Sequence, residues 1–253
     1  MTTNFKTANI LGVNVACTSA QEIIARVTAW TELDEQQTVM YVNAHIINIA
    51  CQDALFLEIL NRADLVWCDG IGVVWAAKIL GGCQLEKMTG EDWIYSFCES
   101  AERTGLRIYL LAGKPGIAMV AKQNLQNLYP GLKIVGVSDG YFVERNEQSV
   151  LKHIKDTQPH VIFVGMGSPV QEKWISSNRD DVSAPVCWAV GALFDYVADV
   201  EARAPKWMIA SGLEWLWRLI LDPSGKWERY LLGNPRFVYR ILREAIRTRG
   251  PGK

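Results

Sequence analysis

Six short runs rich in strand-forming and apolar residues, at 38–42, 65–68, 107–111, 132–137, 160–164 and 186–190, each end in a polar or glycine-rich turn. Helical patterns separate most of them. Continuous apolar runs fit strands buried on both faces, and their alternation with helices fits a parallel sheet. The expected class is therefore α/β. In such sheets the turns that follow the strands gather along one edge, where ligands bind.

Smaller signals fill in the order. Residues 10–15 read as a short strand with a turn at Gly12-Val13-Asn14. Ser19 with Glu22 three residues on forms a capping box for a helix whose apolar positions are Ile23, Ile24, Val27 and Trp30. Residues 46–60 read as one helix and 149–156 as another. The six cysteines form no C-x-x-C pair and sit mostly in apolar surroundings, so reduced, buried thiols of a cytoplasmic protein are expected. Residues 1–6 lack the apolar segment of a signal peptide, and no window is long and apolar enough to span a bilayer.

The segment 63–72, ADLVWCDGIG, places Asp69 where an apolar run stops and the chain turns at Gly70. Two roles fit. Asp69 caps the helix that starts near Ile71, or it is presented to open space at a strand's carboxyl end, as catalytic groups of α/β enzymes are. A second turn, Gly165-x-Gly167, departs from the dinucleotide fingerprint because Val170 stands where a third Gly or Ala is required. It reads as a close-approach turn that offers backbone N–H groups to an anion, with Gln171 and Glu172 opening the next helix. Gly113-Lys114-Pro115-Gly116 lacks the P-loop pattern; it reads as a plain strand-to-helix turn, with a phosphate contact as the alternative.

Metal chemistry is not expected. His45, His153 and His160 are far apart, and no D-x-D occurs. A diphosphate would then be neutralised by helix N-termini and by Lys87, Arg203, Arg218 and Arg229. Asp195 is a lone charge in an apolar stretch, so it caps a helix, pairs with a base or faces a pocket.

Net charge is −1, which gives no global attraction to nucleic acid. The charge is uneven. Residues 205–253 carry ten Lys/Arg against four Asp/Glu, net +6, and four of the ten tryptophans: Trp207, Trp215, Trp217 and Trp227. Two readings fit this tail: a helical cap with a solvated basic face, or an appendage held on an anionic membrane surface by aromatic and basic side chains.

Taken in order, these stretches resemble one family. The series is 63–72, Met88-Thr89-Gly90-x-Asp92, Tyr129-Pro130-Gly131, Gly140-Tyr141-Phe142, Gly165-x-Gly167-x-Pro169-x-Gln171-Glu172, Gly191-Ala192-x-Phe194-Asp195, Arg203-Ala204-Pro205-x-Trp207, Gly212-Leu213-Glu214-Trp215-Leu216-x-Arg218 and Gly233-Asn234-Pro235. It resembles the bacterial WecG/TagA/CpsF glycosyltransferases, glycosyltransferase family 26. The resemblance implies an inverting, metal-independent enzyme without a cofactor. It would move a sugar from a UDP-sugar to a glycan on a polyprenyl diphosphate, in cell-surface or exopolysaccharide synthesis. The place implied is the cytoplasmic face of the inner membrane, as a peripheral protein.

The implied fold is a Rossmann-like parallel sheet with helices on both faces (1–204) plus a C-terminal helical membrane-associating appendage (205–253). Asp69 matches the family's proposed catalytic base and Asn43 its active-site Asn. Gln171 and Asp195 match pocket residues. Two departures stand out. Lys87 replaces an Arg, which keeps the charge but loses the two-pronged fork. Gly225 and Glu228 occupy places where arginines are expected, leaving Arg218 and Arg229, or Lys226 and Arg236, to face the diphosphate. The tail's apolar surface also suits a second copy of the chain. The alternative to an enzyme is a non-catalytic, membrane-associated partner in a polysaccharide assembly complex.

Overall fold

The computed structural model describes residues 5–141 and 144–249. Phe142 of the Gly140-Tyr141-Phe142 series, residues 1–4 of the signal-peptide reading and the last four residues of the tail lie outside these. The chain opens with β1 (Thr7–Ile10), β2 (Val13–Ala16), α1 (Ala20–Trp30), β3 (Gln37–Val42), α2 (Ala44–Ala50), α3 (Ala54–Arg62), β4 (Leu65–Cys68) and α4 (Ile71–Leu80). Then come α5 (Gly90–Thr104), β5 (Arg107–Ala112), α6 (Ile117–Leu128), β6 (Lys133–Ser138), α7 (Glu144–Thr157), β7 (Val161–Gly165), α8 (Val170–Ser177), β8 (Val186–Ala189) and α9 (Leu193–Val197). The tail holds α10 (Lys206–Ala210), α11 (Glu214–Leu221), α12 (Pro223–Trp227), a π-helical stretch (Glu228–Gly233) and α13 (Asn234–Arg249).

Strands β3 to β8 form one six-stranded, all-parallel sheet in the order β4-β3-β8-β7-β5-β6. The continuous apolar runs have the expected cause: β4, β7 and β8 are buried at every position. On one face the core is aromatic. Trp93 of α5 stacks on Trp188 of β8 with centroids 4.2 Å apart; Phe97 packs edgewise on both, and Phe163 lies tilted against them. On the other face, Met40, Val42 and Ile162 pack with α2, α4 and the tail residues Phe237 and Ile241. Ser19 and Glu22 form the capping box of α1, as expected.

Three expectations are corrected. Residues 46–60 are two helices, because the Asp53 carboxylate accepts the Phe56 N–H and starts α3 afresh after Ala50. Residues 10–15 contain the turn of an antiparallel hairpin, β1–β2, separate from the main sheet. The cysteines are not all reduced and buried: Cys17 and Cys83 are joined, and Cys51 is exposed. The hairpin lies against the end of α4, where a Cβ on Gly82 would come within 2.8 Å of Ala8. That close approach brings Cys83 beside Cys17. Among the described residues no helix is long and apolar enough to cross a membrane.

Candidate active site

Adjacent strands β3 and β4 end side by side, and each delivers one polar residue to the sheet's carboxyl edge. After β3 comes Asn43, the N-cap of α2. Its Oδ1 accepts the N–H groups of His45 and Ile46, each at 3.1 Å. That fixes the amide's orientation, and Nδ2 donates to Oδ2 of Asp69 at 3.1 Å. Asp69 follows β4, its own N–H held by the Val42 carbonyl at 2.8 Å. Gly70 comes next with φ +87°, a left-handed conformation that glycine adopts without strain, and α4 begins. Gly70 is the cap position of α4 and no side chain caps it. The capping role for Asp69 is therefore excluded, and its carboxylate is left to Asn43 and to open space.

That space is a cavity of about 460 Å³. Asn43, His45, Asp69, Lys87, Arg218 and Arg229 contribute its polar lining, together with Glu214. The walls are helices α4 and α13. A smaller chamber of about 50 Å³, bounded by Tyr41, Trp67 and Tyr196, meets it at Asp69, Glu214 and Arg218. The tail thus supplies a whole wall of the cavity and two of its cations.

The electrostatics follow from burial against charge. Burial raises the Asp69 carboxyl above the ordinary carboxylate range, and Glu214 adds to this; Arg218, Asn43 and Arg229 pull the other way without cancelling it. His45 is driven down to about 4, by burial and then by Arg229, so it is neutral at pH 7. Burial opposes the charge on Arg218, but Tyr196, Asp69, Tyr230 and Glu214 together hold its guanidinium protonated more firmly than usual. Its guanidinium lies 5.2 Å from the Tyr196 ring centroid. Arg229 sits over Tyr230 at 5.3 Å, and its Nε is buried without a hydrogen-bond partner among the described residues.

Of the ten residues singled out from sequence, five gather here: Asn43, Asp69, Lys87, Arg218 and Arg229. Lys87 is not a free cation. It pairs with Glu214 at 3.0 Å and donates to the Ile209 carbonyl at 3.2 Å. The other five line neither of these two cavities. Gln171 is fully buried: Oε1 accepts the Gly191 N–H, and Nε2 donates to Glu172 and Ser168. A Cβ on Gly165 would overlap the Gly191 carbonyl and Ala112, so close strand packing demands that glycine. Gly167, at φ +78°, turns the chain into the same buried group. The turn acts on the site from behind, since Gly191 in turn presses against the hydroxyl of Tyr41, which lines the smaller chamber. Asp195 is half-buried near Lys114 and Lys226, its carboxyl raised by burial and by Glu201. Arg203 pairs with Asp92 of the α5 capping box at 2.7 Å.

Sequence reasoning missed Glu214 as a site residue. Its signal was present: an acid opening a tryptophan-rich helix within the basic tail, four residues before Arg218 and so on the same helix face. Among the described residues no three His, Cys, Asp or Glu side chains gather as a metal site.

Comparison with known proteins gives the family. N-acetylglucosaminyldiphosphoundecaprenol N-acetyl-beta-D-mannosaminyltransferase of Bacillus subtilis (strain 168) is 32% identical over 203 residues, 80% of this chain and 78% of that protein. The enzyme of the same name from Staphylococcus aureus (strain NCTC 8325 / PS 47) is 28% identical over 244 residues, 95% and 94% of the two chains. Residues 8–251 match the Glycosyl transferase WecG/TagA/CpsF family, and the chain belongs to that family.

Proposed function

We propose that the protein transfers a sugar from a UDP-sugar, with inversion and without a metal ion, to a hydroxyl of a glycan carried on a polyprenyl diphosphate. The observation that carries this is the Asp69 carboxylate, oriented by Asn43 and facing a cavity that also holds Arg218 and Arg229. Asp69 accepts the proton of the attacking hydroxyl. That oxygen bonds to the anomeric carbon from the face opposite UDP, and the bond to UDP breaks. A raised carboxyl pKa brings the base nearer to working pH. The departing diphosphate carries its charge toward Arg218 and Arg229. Lys87 acts chiefly through Glu214, tying α11 to the strand end that holds Asp69. Gly165, Gly167, Gln171, Asp195 and Arg203 shape the site from outside the cavity.

The relatives' names support an N-acetylhexosamine donor and an acceptor that ends in N-acetylglucosamine on undecaprenyl diphosphate. The test is the purified protein with a panel of UDP-sugars and a lipid-diphosphate N-acetylglucosamine acceptor, with and without EDTA. Transfer from one UDP-N-acetylhexosamine, unchanged by EDTA and giving the inverted anomer, is expected. Loss of transfer with EDTA would remove the metal-independent step, and no transfer from any donor would leave the assembly-partner role.

We further propose that residues 205–253 form an appendage on a catalytic part, 1–204, and hold the protein peripherally at the cytoplasmic face of the inner membrane. Trp207, Trp227, Leu231 and Ile246 are exposed in this basic segment, which supports the reading. Replacing Trp207, Trp227 and Ile246 together with Ser is expected to release the protein from anionic vesicles in a sedimentation assay. Unchanged sedimentation would argue that the tail only caps the fold.

A further inference from the structure

Helices α4 and α13 both begin beside the catalytic group. Helix α4 starts two residues after Asp69, and Asn234 at the start of α13 lines the same cavity. The two touch near these ends, where a Cβ on Gly72 would lie 3.8 Å from the Phe237 ring. Beyond that contact, each turns an apolar stripe to the cavity at i, i+4 spacing: Trp75 and Ile79 on α4, Val238 and Leu242 on α13. With a rise of 1.5 Å per residue, Ile79 lies ~12 Å along α4 from its first residue. The cavity is therefore charged at the Asp69 end and apolar along the helices. Its rim is large and uncovered: Trp75 is 58% exposed, Val238 53% and Leu242 51%. Contiguous exposed apolar surface of this kind marks a site for an apolar partner.

We propose that this α4–α13 groove holds the acceptor's own hydrocarbon chain, the carbons next to the diphosphate, while the acceptor sugar reaches Asp69. The inference rests on the lipid-diphosphate reading above. The argument is continuity: the chain is covalently attached to the group that must sit at the charged end, so it has to leave along a wall of this cavity. The wall formed by α4 and α13 is apolar and starts at Asp69. The groove makes the protein select for a prenyl chain directly, independently of how the tail meets a bilayer.

The test uses the full-length protein without detergent or vesicles, below the aggregation threshold of each acceptor. The acceptors are N-acetylglucosamine diphosphates bearing an ethyl, a geranyl or a farnesyl group. KM is expected to fall at least tenfold from ethyl to farnesyl, which corresponds to ~1.4 kcal/mol at 25 °C. Val238→Trp, which fills the groove, and Trp75→Ser with Leu242→Ser, which strips its rim, are expected to bring the ratio of the two KM values toward one. All three positions are exposed, so the fold tolerates the changes. Equal KM values in the wild type, or variants that keep the ratio, would overturn the proposal.

Calorimetric titration with farnesyl and ethyl diphosphate gives a readout without turnover. A farnesyl preference that Val238→Trp abolishes, in a protein that transfers nothing, sinks the transferase reading and keeps the groove. A change of oligomeric state in Val238→Trp with no chain-length preference would assign the groove to a second copy of the chain.

Discussion

Asp69→Asn is expected to lower kcat by roughly 10²–10⁴-fold, the range for loss of a positioned general base, while UDP affinity stays within a few-fold of wild type. The amide keeps the shape and still accepts the Asn43 hydrogen bond, so the change isolates the proton-accepting step. Steady-state kinetics together with a UDP titration check it; near-normal turnover removes Asp69 from the chemistry. The pH profile gives a second readout. The base works only when ionised, so activity falls as pH drops through the Asp69 pKa. Burial raises that pKa, so the acid limb of kcat/KM lies above the ordinary carboxylate range and disappears with the residual activity of the variant.

Stability moves the opposite way. A carboxyl whose folded pKa is raised favours the fold below its unfolded pKa, and that contribution is lost as pH rises through the folded value. At neutral pH the ionised Asp69 is therefore a burden on the fold. Asp69→Asn is expected to have a higher Tm than wild type at pH 7, with the gap closing in acid. An active-site group that costs stability is the trade expected where function sets the residue.

Arg218→Met is expected to cost about 10²–10³-fold in kcat/KM, comparable to removing one preorganised charge-stabilising donor. Arg218 faces the cavity, lies against the Tyr196 ring and interacts with both Asp69 and Glu214. Met retains much of the side-chain length and loses the charge. Because Arg218 is the strongest of the influences that lower the Asp69 pKa, its removal shifts the acid limb further upward. Arg218→Lys is expected to restore activity only in part, since an ammonium lacks the planar face that packs on Tyr196 and the fork that grips a diphosphate. Equal kinetics for Lys and Arg at this position would mean that only net charge matters here.

How much of this was legible in the sequence depended on how local the cause was. The parallel sheet was readable because a strand buried on both faces must be apolar throughout, as β4, β7 and β8 are. The break at Asp53 was local too, but an Asp inside an apolar helical period was masked by the residues around it. Asp69 was found because it follows an apolar run, although only the coordinates separate capping from presentation; Asn43 was found only through the family resemblance. Gln171 shows the limit. A polar residue after a strand looks like a ligand contact, but its amide is consumed by Gly191, Glu172 and Ser168, partners whose proximity no local pattern encodes. Lys87 is the same case in charge: its partner Glu214 is 127 positions away in the chain.

The burial of Phe237 and Ile241 among core residues of α2, α4 and the sheet has a practical consequence. Cutting the chain at residue 204 would strip one wall from the cavity and also uncover the apolar layer beneath it. The shortened protein would lose activity and solubility at once, together with the proposed lipid attachment, and none of those losses could be assigned to its own cause. What the last fifty residues do can be learned only by altering their outward side chains one patch at a time, with the helix left in its seat.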